Sequence, residues 1–303
     1  MPNIQTILVT GSNGQLGQSL KSLASQHSQY QFTFTQRTEL DLSNTNSIAD
    51  YFKQNQFDLI INCAAYTAVD KAEQEQEQEQ ADEINHLAVK QLAEIAKQHD
   101  SILIHISTDY VFDGTGYKPY LENDQTNPQS VYGASKLKGE QAIQKISPKA
   151  IIIRTSWVYS EYGTNFVKTM LRLGQERESL NVIADQVGTP TYAKDLATAI
   201  IEIVDTCSAE QNIFTQDQQV QLYHFSNEGV CSWYDFAKTI FENTNVPCTV
   251  SAIETKDYPT AAKRPHYSVL NKAKIKQNFN LSIPYWKDAL QVCLKKYQET
   301  KTQ

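Results

Sequence analysis

A basic excess is the first thing this chain lacks. Its 27 lysines and arginines are outnumbered by 34 aspartates and glutamates, for a formal net charge of -7. A protein that chiefly grips polyanions carries the opposite balance, so no nucleic-acid partner is expected. A small anionic ligand stays open, because a local pocket can be basic on an acidic protein. Cysteine is scarce as well. Cys63, Cys207, Cys231, Cys248 and Cys293 are odd in number and scattered, with no CxxC pair and no Cys/His ligand spacing. That argues against a disulfide framework and against a zinc site, and leaves isolated thiols in a reducing compartment. Long apolar runs are missing too. No stretch approaches the roughly 20 residues of a membrane helix, so no membrane association is expected. Met1-Pro2-Asn3-Ile4 leads straight toward a strand, without the basic region and apolar core of a signal peptide. A soluble, cytoplasmic protein is expected. At 303 residues, 40% apolar and 20% charged, the chain suits one large globular domain or two modest ones.

What is present is an alternation. Ile7-Leu8-Val9-Thr10, Phe32-Thr33-Phe34, Asp58 to Asn62, Ser101 to Ile106 and Ala150 to Ile153 read as short apolar strands. Helical spacing runs over Gln15 to Ser25, over Asp82 to Gln98 through Ile84, Leu87, Ala88, Leu92 and Ile95, and over Ser130 to Ile146. Continuous apolar strands separated by helices predict a parallel sheet covered on both faces, an α/β, Rossmann-type doubly wound fold. The second half is less regular. Helices are expected over Asn165 to Leu173, Tyr192 to Val204, Trp233 to Glu242 and Tyr285 to Tyr297, separated by loops holding Pro190, Pro247, Pro259 and Pro265. Residues 1–155 are read as the nucleotide-binding domain. Residues 156–303 are read as mainly a smaller C-terminal substrate-binding part, interwoven with the last elements of the sheet. The Glu/Gln tract from Glu73 to Gln80 reads as the solvated first turn of the helix that follows, where carboxylates favour the positive end of the dipole.

The first strand runs into Thr10-Gly11-Ser12-Asn13-Gly14-Gln15-Leu16-Gly17. Gly11 lets the chain leave the strand sharply, Gly14 lets backbone N–H groups approach a pyrophosphate at a helix N-terminus, and Gly17 permits close helix–strand packing. The GxxGxxG spacing suits short-chain dehydrogenases, with NADPH or NADH as cofactor. After the second strand the sequence reads Thr35-Gln36-Arg37, without the acid that commonly binds the ribose hydroxyls of NAD. Arg37 is placed to meet a 2′-phosphate or is a plain surface arginine; the reading favours NADPH, with NADH as the second choice. Asp41 and Leu42 follow, and Ala64 and Ala65 are small enough to let a dinucleotide cross the sheet edge. Tyr132 and Lys136 form a YxxxK pair on one helix face. A phenol of pKa about 10 needs such a cation beside it to exchange protons near neutrality, so a lowered Tyr132 is expected. Thr108 closes the fourth strand, where open α/β sheets bind ligands. It is either a donor to a substrate carbonyl or a strand-end cap.

The segments Gly14 to Gly17, Asn62 to Glu73, Ser107 to Phe112, Val131 to Gly133, Arg154 to Tyr159, Asn165-Phe166, Asp185 to Thr191, Arg264 to Ser268 and Leu270-Asn271 resemble the dTDP-4-dehydrorhamnose reductases across nearly the whole chain. The resemblance implies hydride transfer from NAD(P)H to carbon 4 of dTDP-4-dehydro-L-rhamnose, a nucleotide sugar, with Tyr132 supplying the proton. It implies that Thr108 and Asp109 hold the sugar, that Trp157 contacts it, and that Lys136 positions the cofactor ribose. Gly14, Gln15, Leu16, Asp41, Leu42, Ala65, Tyr66 and Thr67 would line the cofactor site. Arg264 is the candidate for the nucleotide's phosphates, a loop salt bridge being its other reading. Some members of that family use magnesium at a subunit contact. No carboxylate cluster here calls for it, so no metal-binding residue is assigned, magnesium rests on the resemblance alone, and a homodimer is left open.

Three other functions share these motifs. A sugar-nucleotide epimerase or dehydratase has the same turn and YxxxK, yet Tyr110 stands where a dehydratase often has a glutamate after Asp109. A ketoreductase producing the other 4-epimer is not separable by sequence. A non-catalytic regulatory subunit of the methionine adenosyltransferase type has the same fold but no need of Thr108, Tyr132 and Lys136 together.

Overall fold

The computed structural model describes residues 4–209 and 213–301. Met1–Asn3, read above as the approach to the first strand, lie outside the described residues. Five parallel strands come from the first half: β1 (Thr6–Thr10), β2 (Gln31–Phe34), β3 (Leu59–Asn62), β4 (Ile102–Thr108) and β5 (Ala150–Thr155). A sixth, Val220–His224, joins the outer edge of β5 from the second half. From that strand the order runs β5, β4, β3, β1, β2. The chain therefore turns one way after β1 and the other way at β3, and a crevice opens above the C-terminal ends of those two strands.

Alternate residues of each strand feed opposite faces. Ile7 and Val9 of β1 join one core with Leu16, Leu20 and Leu23 of α1 (Gln15–Ala24). Leu8 joins the other with Ile48 and Phe52 of α2 (Thr45–Gln54), a helix absent from the sequence reading. Its start is set by Asn44, whose side chain accepts from the N–H groups of Asn46 and Ser47. The Glu/Gln tract departs from expectation in one respect. It forms a helix of its own, α3 (Glu75–Asp82), joined through one π-wound turn at Glu83–Leu87 to α4 (Ala88–Gln98). That turn sets Asn85 so that its amide brackets Tyr66, accepting from Tyr66 N and donating to Tyr66 O, with a further bond to Ser135 of α5 (Val131–Ile146).

The second half alternates between the sheet and a lobe of its own. Helices α6 (Phe166–Glu176), α7 (Ala193–Ala209), α8 (Trp233–Thr244), α9 (Ala273–Phe279) and α10 (Trp286–Lys301) follow in order. Apolar residues of α7 and α9 pack on the α1 face of the sheet. By contrast α6, α8 and α10 bury Met170, Phe236, Ile240, Trp286 and Leu290 in a separate core. Short strand pairs fasten that lobe: Val158–Tyr159 with Thr191–Tyr192, and Ser179–Ile183 with Thr249–Ile253.

Candidate active site

A cavity of about 700 Å³ occupies the crevice, reaching from the end of β2 to the start of the C-terminal lobe. Its floor is the turn after β1. Gly11 has φ +64°, and a Cβ there would stand 2.7 Å from Ala64 N, so the turn lies against the chain leaving β3. At Gly17 a Cβ would stand 2.5 Å from Gly11 O; without one, α1 starts directly on the turn. The helix begins after Gly14, in extended conformation and with no side-chain cap. Its first N–H groups thus lack intrahelical partners and leave the positive end of the helix beside the cavity. Gly11, Gly14, Gln15, Leu16, Ala64, Ala65 and Thr67 all line it. Such a cradle fits a dinucleotide diphosphate. Gly17 does not line it and serves the packing just described. Nor does Tyr66, whose hydroxyl donates to Glu77 at 2.8 Å.

At the far rim Arg37, Asp41 and Leu42 line the cavity together with Gln36 and Ser43. Asp41 accepts from Ser43 N at 2.9 Å and Ser43 Oγ at 2.7 Å. Arg37 leans on Asp41 at 3.4 Å and donates to Ser43 Oγ at 3.1 Å, yet its side chain is 66% exposed. So loose a tether leaves the guanidinium available to an anion.

The opposite end holds Thr108, Asp109, Tyr132, Lys136 and Trp157. Ser130 caps α5 by accepting from Gly133 N, which fixes where Tyr132 and Lys136 project. Thr108 Oγ1 donates to Asp109 Oδ1 at 2.9 Å and accepts from Tyr110 N at 3.2 Å, so it is both a strand-end cap and a cavity hydroxyl. Asp109 is buried with Oδ2 unpartnered. Burial pushes its carboxyl up to about 7 against the Thr108 hydrogen bond, which leaves it substantially protonated at neutral pH. Tyr132 departs from expectation. Burial pushes its phenol up to about 12, Thr108 works against that, and Asp109 adds to it. The lysine offers no visible relief because its head group is engaged elsewhere: Lys136 Nζ donates to Ile106 O at 2.6 Å and stands 3.4 Å from His105 Nε2. Burial brings Lys136 itself down to about 8, against the pull of Glu140.

Trp157, at φ +47°, stacks on Trp233 with centroids 3.5 Å apart. Gln15 ties the two halves together at this point, its Oε1 accepting from Ser160 Oγ and Asn165 Nδ2 and its Nε2 donating to Val158 O. Arg264 lies off the cavity wall. Its guanidinium holds Asp70 in a two-point contact of 3.0 and 2.5 Å, the salt-bridge alternative of the sequence reading. Gln36, Ser43, Cys63, Tyr110 and Thr155 also line the cavity and were not foreseen. Gln36, Cys63 and Tyr110 lie just beyond a strand end and Thr155 closes β5, which is their only signal; Ser43, in the turn before α2, carries none. Among the described residues, no group of three or more His, Cys, Asp or Glu side chains is placed to hold a metal ion, and no helix is long and apolar enough to cross a membrane.

A family model described as the RmlD substrate binding domain matches residues 5–299. The dTDP-4-dehydrorhamnose reductase of Aggregatibacter actinomycetemcomitans is 46% identical over 294 residues, 94% of this chain and 96% of that one. Its Escherichia coli K12 counterpart is 42% identical, over 92% and 94%. Among solved structures, the dTDP-4-dehydrorhamnose reductase of Bacillus anthracis in complex with NADP superposes with a TM-score of 0.88 at 37% identity, covering 97% of this chain and 99% of that one. The Clostridium acetobutylicum enzyme gives 0.88 at 38%, covering 97% and 100%. Matched over residues 5–299, and with a sheet-edge cavity that has a glycine cradle at one end and Thr108, Tyr132 and Lys136 at the other, the chain belongs to the dTDP-4-dehydrorhamnose reductase family.

Proposed function

We infer that the chain reduces the 4-keto group of dTDP-4-dehydro-L-rhamnose to give dTDP-L-rhamnose at the expense of NADPH, with NADH as a second cofactor. The observation that carries the reading is the joining of Thr108, Tyr132 and Lys136 to the glycine cradle in one continuous cavity. A bound reduced nicotinamide supplies a hydride to carbon 4. The rest is done by side chains. Tyr132 Oη gives its proton to the carbonyl oxygen as that oxygen gains charge, so the ketone becomes a secondary alcohol and a phenolate is left to be reprotonated. A phenol held near 12 keeps its proton until the oxygen becomes basic enough to take it. Thr108 donates to the same oxygen. The Lys136 ammonium holds the cofactor ribose. Protonated Asp109 offers the sugar a hydrogen-bond donor, and Trp157 offers it a flat apolar wall. Gly11, Gly14, Gln15, Leu16, Ala64, Ala65 and Thr67 hold the dinucleotide, with Asp41 and Leu42 at its adenosine end. Arg37 is assigned to the 2′-phosphate. Because Arg264 is already paired, it reaches the nucleotide's phosphates only by leaving Asp70.

The test is the loss of NADPH and NADH absorbance with purified protein and dTDP-4-dehydro-L-rhamnose, followed by identification of the product sugar. Release of dTDP-L-rhamnose supports the reading. Release of the other 4-epimer replaces it with the second ketoreductase, and binding of cofactor without turnover replaces it with a regulatory subunit. Cys63, Cys231, Cys248 and Cys293 are free thiols, which supports a cytoplasmic setting.

A further inference from the structure

A histidine interrupts the otherwise apolar Ile102-Leu103-Ile104-His105-Ile106, and His105 is fully buried. It does not stand alone. Thr10 of β1 is in register with Asn62 of β3, and Asn62 with His105 of β4, so three polar side chains form one row across the sheet. Thr10 Oγ1 and Asn62 Oδ1 are 2.7 Å apart, Asn62 Nδ2 and His105 Nδ1 are 3.1 Å apart, and His105 Nε2 meets Lys136 Nζ at the end of the row. The titratable groups facing Lys136 are Glu140 and Tyr132 on its own helix, Cys63 after β3 and His105 on β4. Glu140 is taken up by Arg154, bound through two nitrogens, and by Ser107. The lysine therefore relies on uncharged partners.

The row has two internally consistent states. An amide can present either end to the ring, and the ring must then take the matching tautomer. With Asn62 Oδ1 toward it, Nδ1–H donates and Nε2 is free to accept from an ammonium. With Nδ2 toward it, the orientation found here, Nδ1 accepts, Nε2–H points at Lys136, and the lysine must be the neutral amine. Passing from the first state to the second releases one proton from the pair.

We propose that His105 is a positioning residue for the reduction: with Asn62 behind it, its ring matches its tautomer to the charge of Lys136 and holds the ammonium in place during turnover. The proposal rests on the reductase reading for its kinetic consequence but not for its structural one. Burial brings Lys136 near 8, so the exchange of states falls within a measurable range.

The structural arm is nitrogen-15 NMR of the histidine rings in the ligand-free full chain, from about pH 6 to 9.5, with the His105 signal assigned by its absence in His105→Gln. The expected result is the Nδ1–H tautomer at low pH giving way to Nε2–H near pH 8. A single tautomer throughout, or a doubly protonated ring, overturns the proposal whether or not the protein turns over substrate. The kinetic arm compares two variants of confirmed fold. In His105→Gln the amide reaches the Nε2 position and kcat should stay within about threefold of wild type. His105→Asn reaches only the Nδ1 position. It should lose about ten- to a hundredfold in kcat with KM little changed, and its alkaline limb should move to lower pH, because the ammonium has lost an acceptor. Equal losses in both variants with an unmoved limb overturn the proposal, leaving His105 a packing residue. Inactive wild type with the expected NMR exchange would remove the reductase reading and leave the lysine–histidine coupling standing.

Discussion

Tyr132→Phe removes the proton donor and little else. kcat should fall by about 10²–10⁴-fold, while cofactor affinity measured by fluorescence titration stays near wild type. Near-normal turnover would remove Tyr132 from the acid role. Asp109 gives a pH prediction. Below about pH 4 its carboxyl is neutral in both folded and unfolded chains. Between there and about 7 the unfolded chain ionises and the folded one does not, so this group withdraws stability as pH rises, and the loss is complete above 7. Asp109→Asn carries no such loss. Its melting temperature should gain on wild type progressively from pH 4 to 7 and level off beyond; a constant offset would show that burial does not raise this carboxyl. Arg37→Ala should weaken NADPH binding more than NADH, and equal weakening would take the 2′-phosphate away from it. Tyr132, Lys136 and Thr108 were legible as candidates because their spacing and their positions at the end of strand β4 and on helix α5 are properties of the chain. The direction of the Tyr132 shift was not. A YxxxK spacing brings two residues onto one helix face, but what the ammonium touches is decided by Ile106 and His105 on another element.

At the scale of elements, the join of β1 to α1 beneath the cavity is tightly constrained. Gly17→Ala would put a methyl group 2.5 Å from Gly11 O and 2.6 Å from Ser12 Cα, both backbone, so α1 must shift off the turn. A loss of about 1–3 kcal/mol is expected in chemical denaturation, together with weaker dinucleotide binding. A fully stable, tightly binding variant would show that the turn tolerates a looser seat. Helices with strong apolar periodicity were readable, α1, α4 and α8 among them, because a 3.6-residue stripe has no other use. The helix α2 was missed although Ile48, Tyr51 and Phe52 recur at helical spacing and the Asn44 side chain caps its start, a signal carried in only ten residues. The Glu/Gln tract carries no such stripe. That α3 is a separate helix follows from the π-wound turn after it, which exists so that Asn85 can bracket Tyr66.

For the whole molecule, the first 155 residues contain the glycine turn, Thr108, Tyr132 and Lys136, but not a complete sheet. The strand Val220–His224 covers the edge of β5, and α7 covers the face shared by β1, β3 and β4. Residues 1–155 expressed alone should therefore lack a cooperative thermal transition and bind dye that reports exposed apolar surface. A sharp transition would make that segment an independent domain. Local periodicity sufficed to mark the parallel strands, and the glycine spacing and YxxxK to mark the phosphate turn and the candidate reacting side chains, since few residue types can perform that chemistry. Tertiary packing alone settles that a strand from residue 220 completes the sheet, that Arg264 is taken up by Asp70, and that Lys136 leans on a histidine. Each of those is a contact between segments distant along the chain, made or refused by packing that no local pattern records.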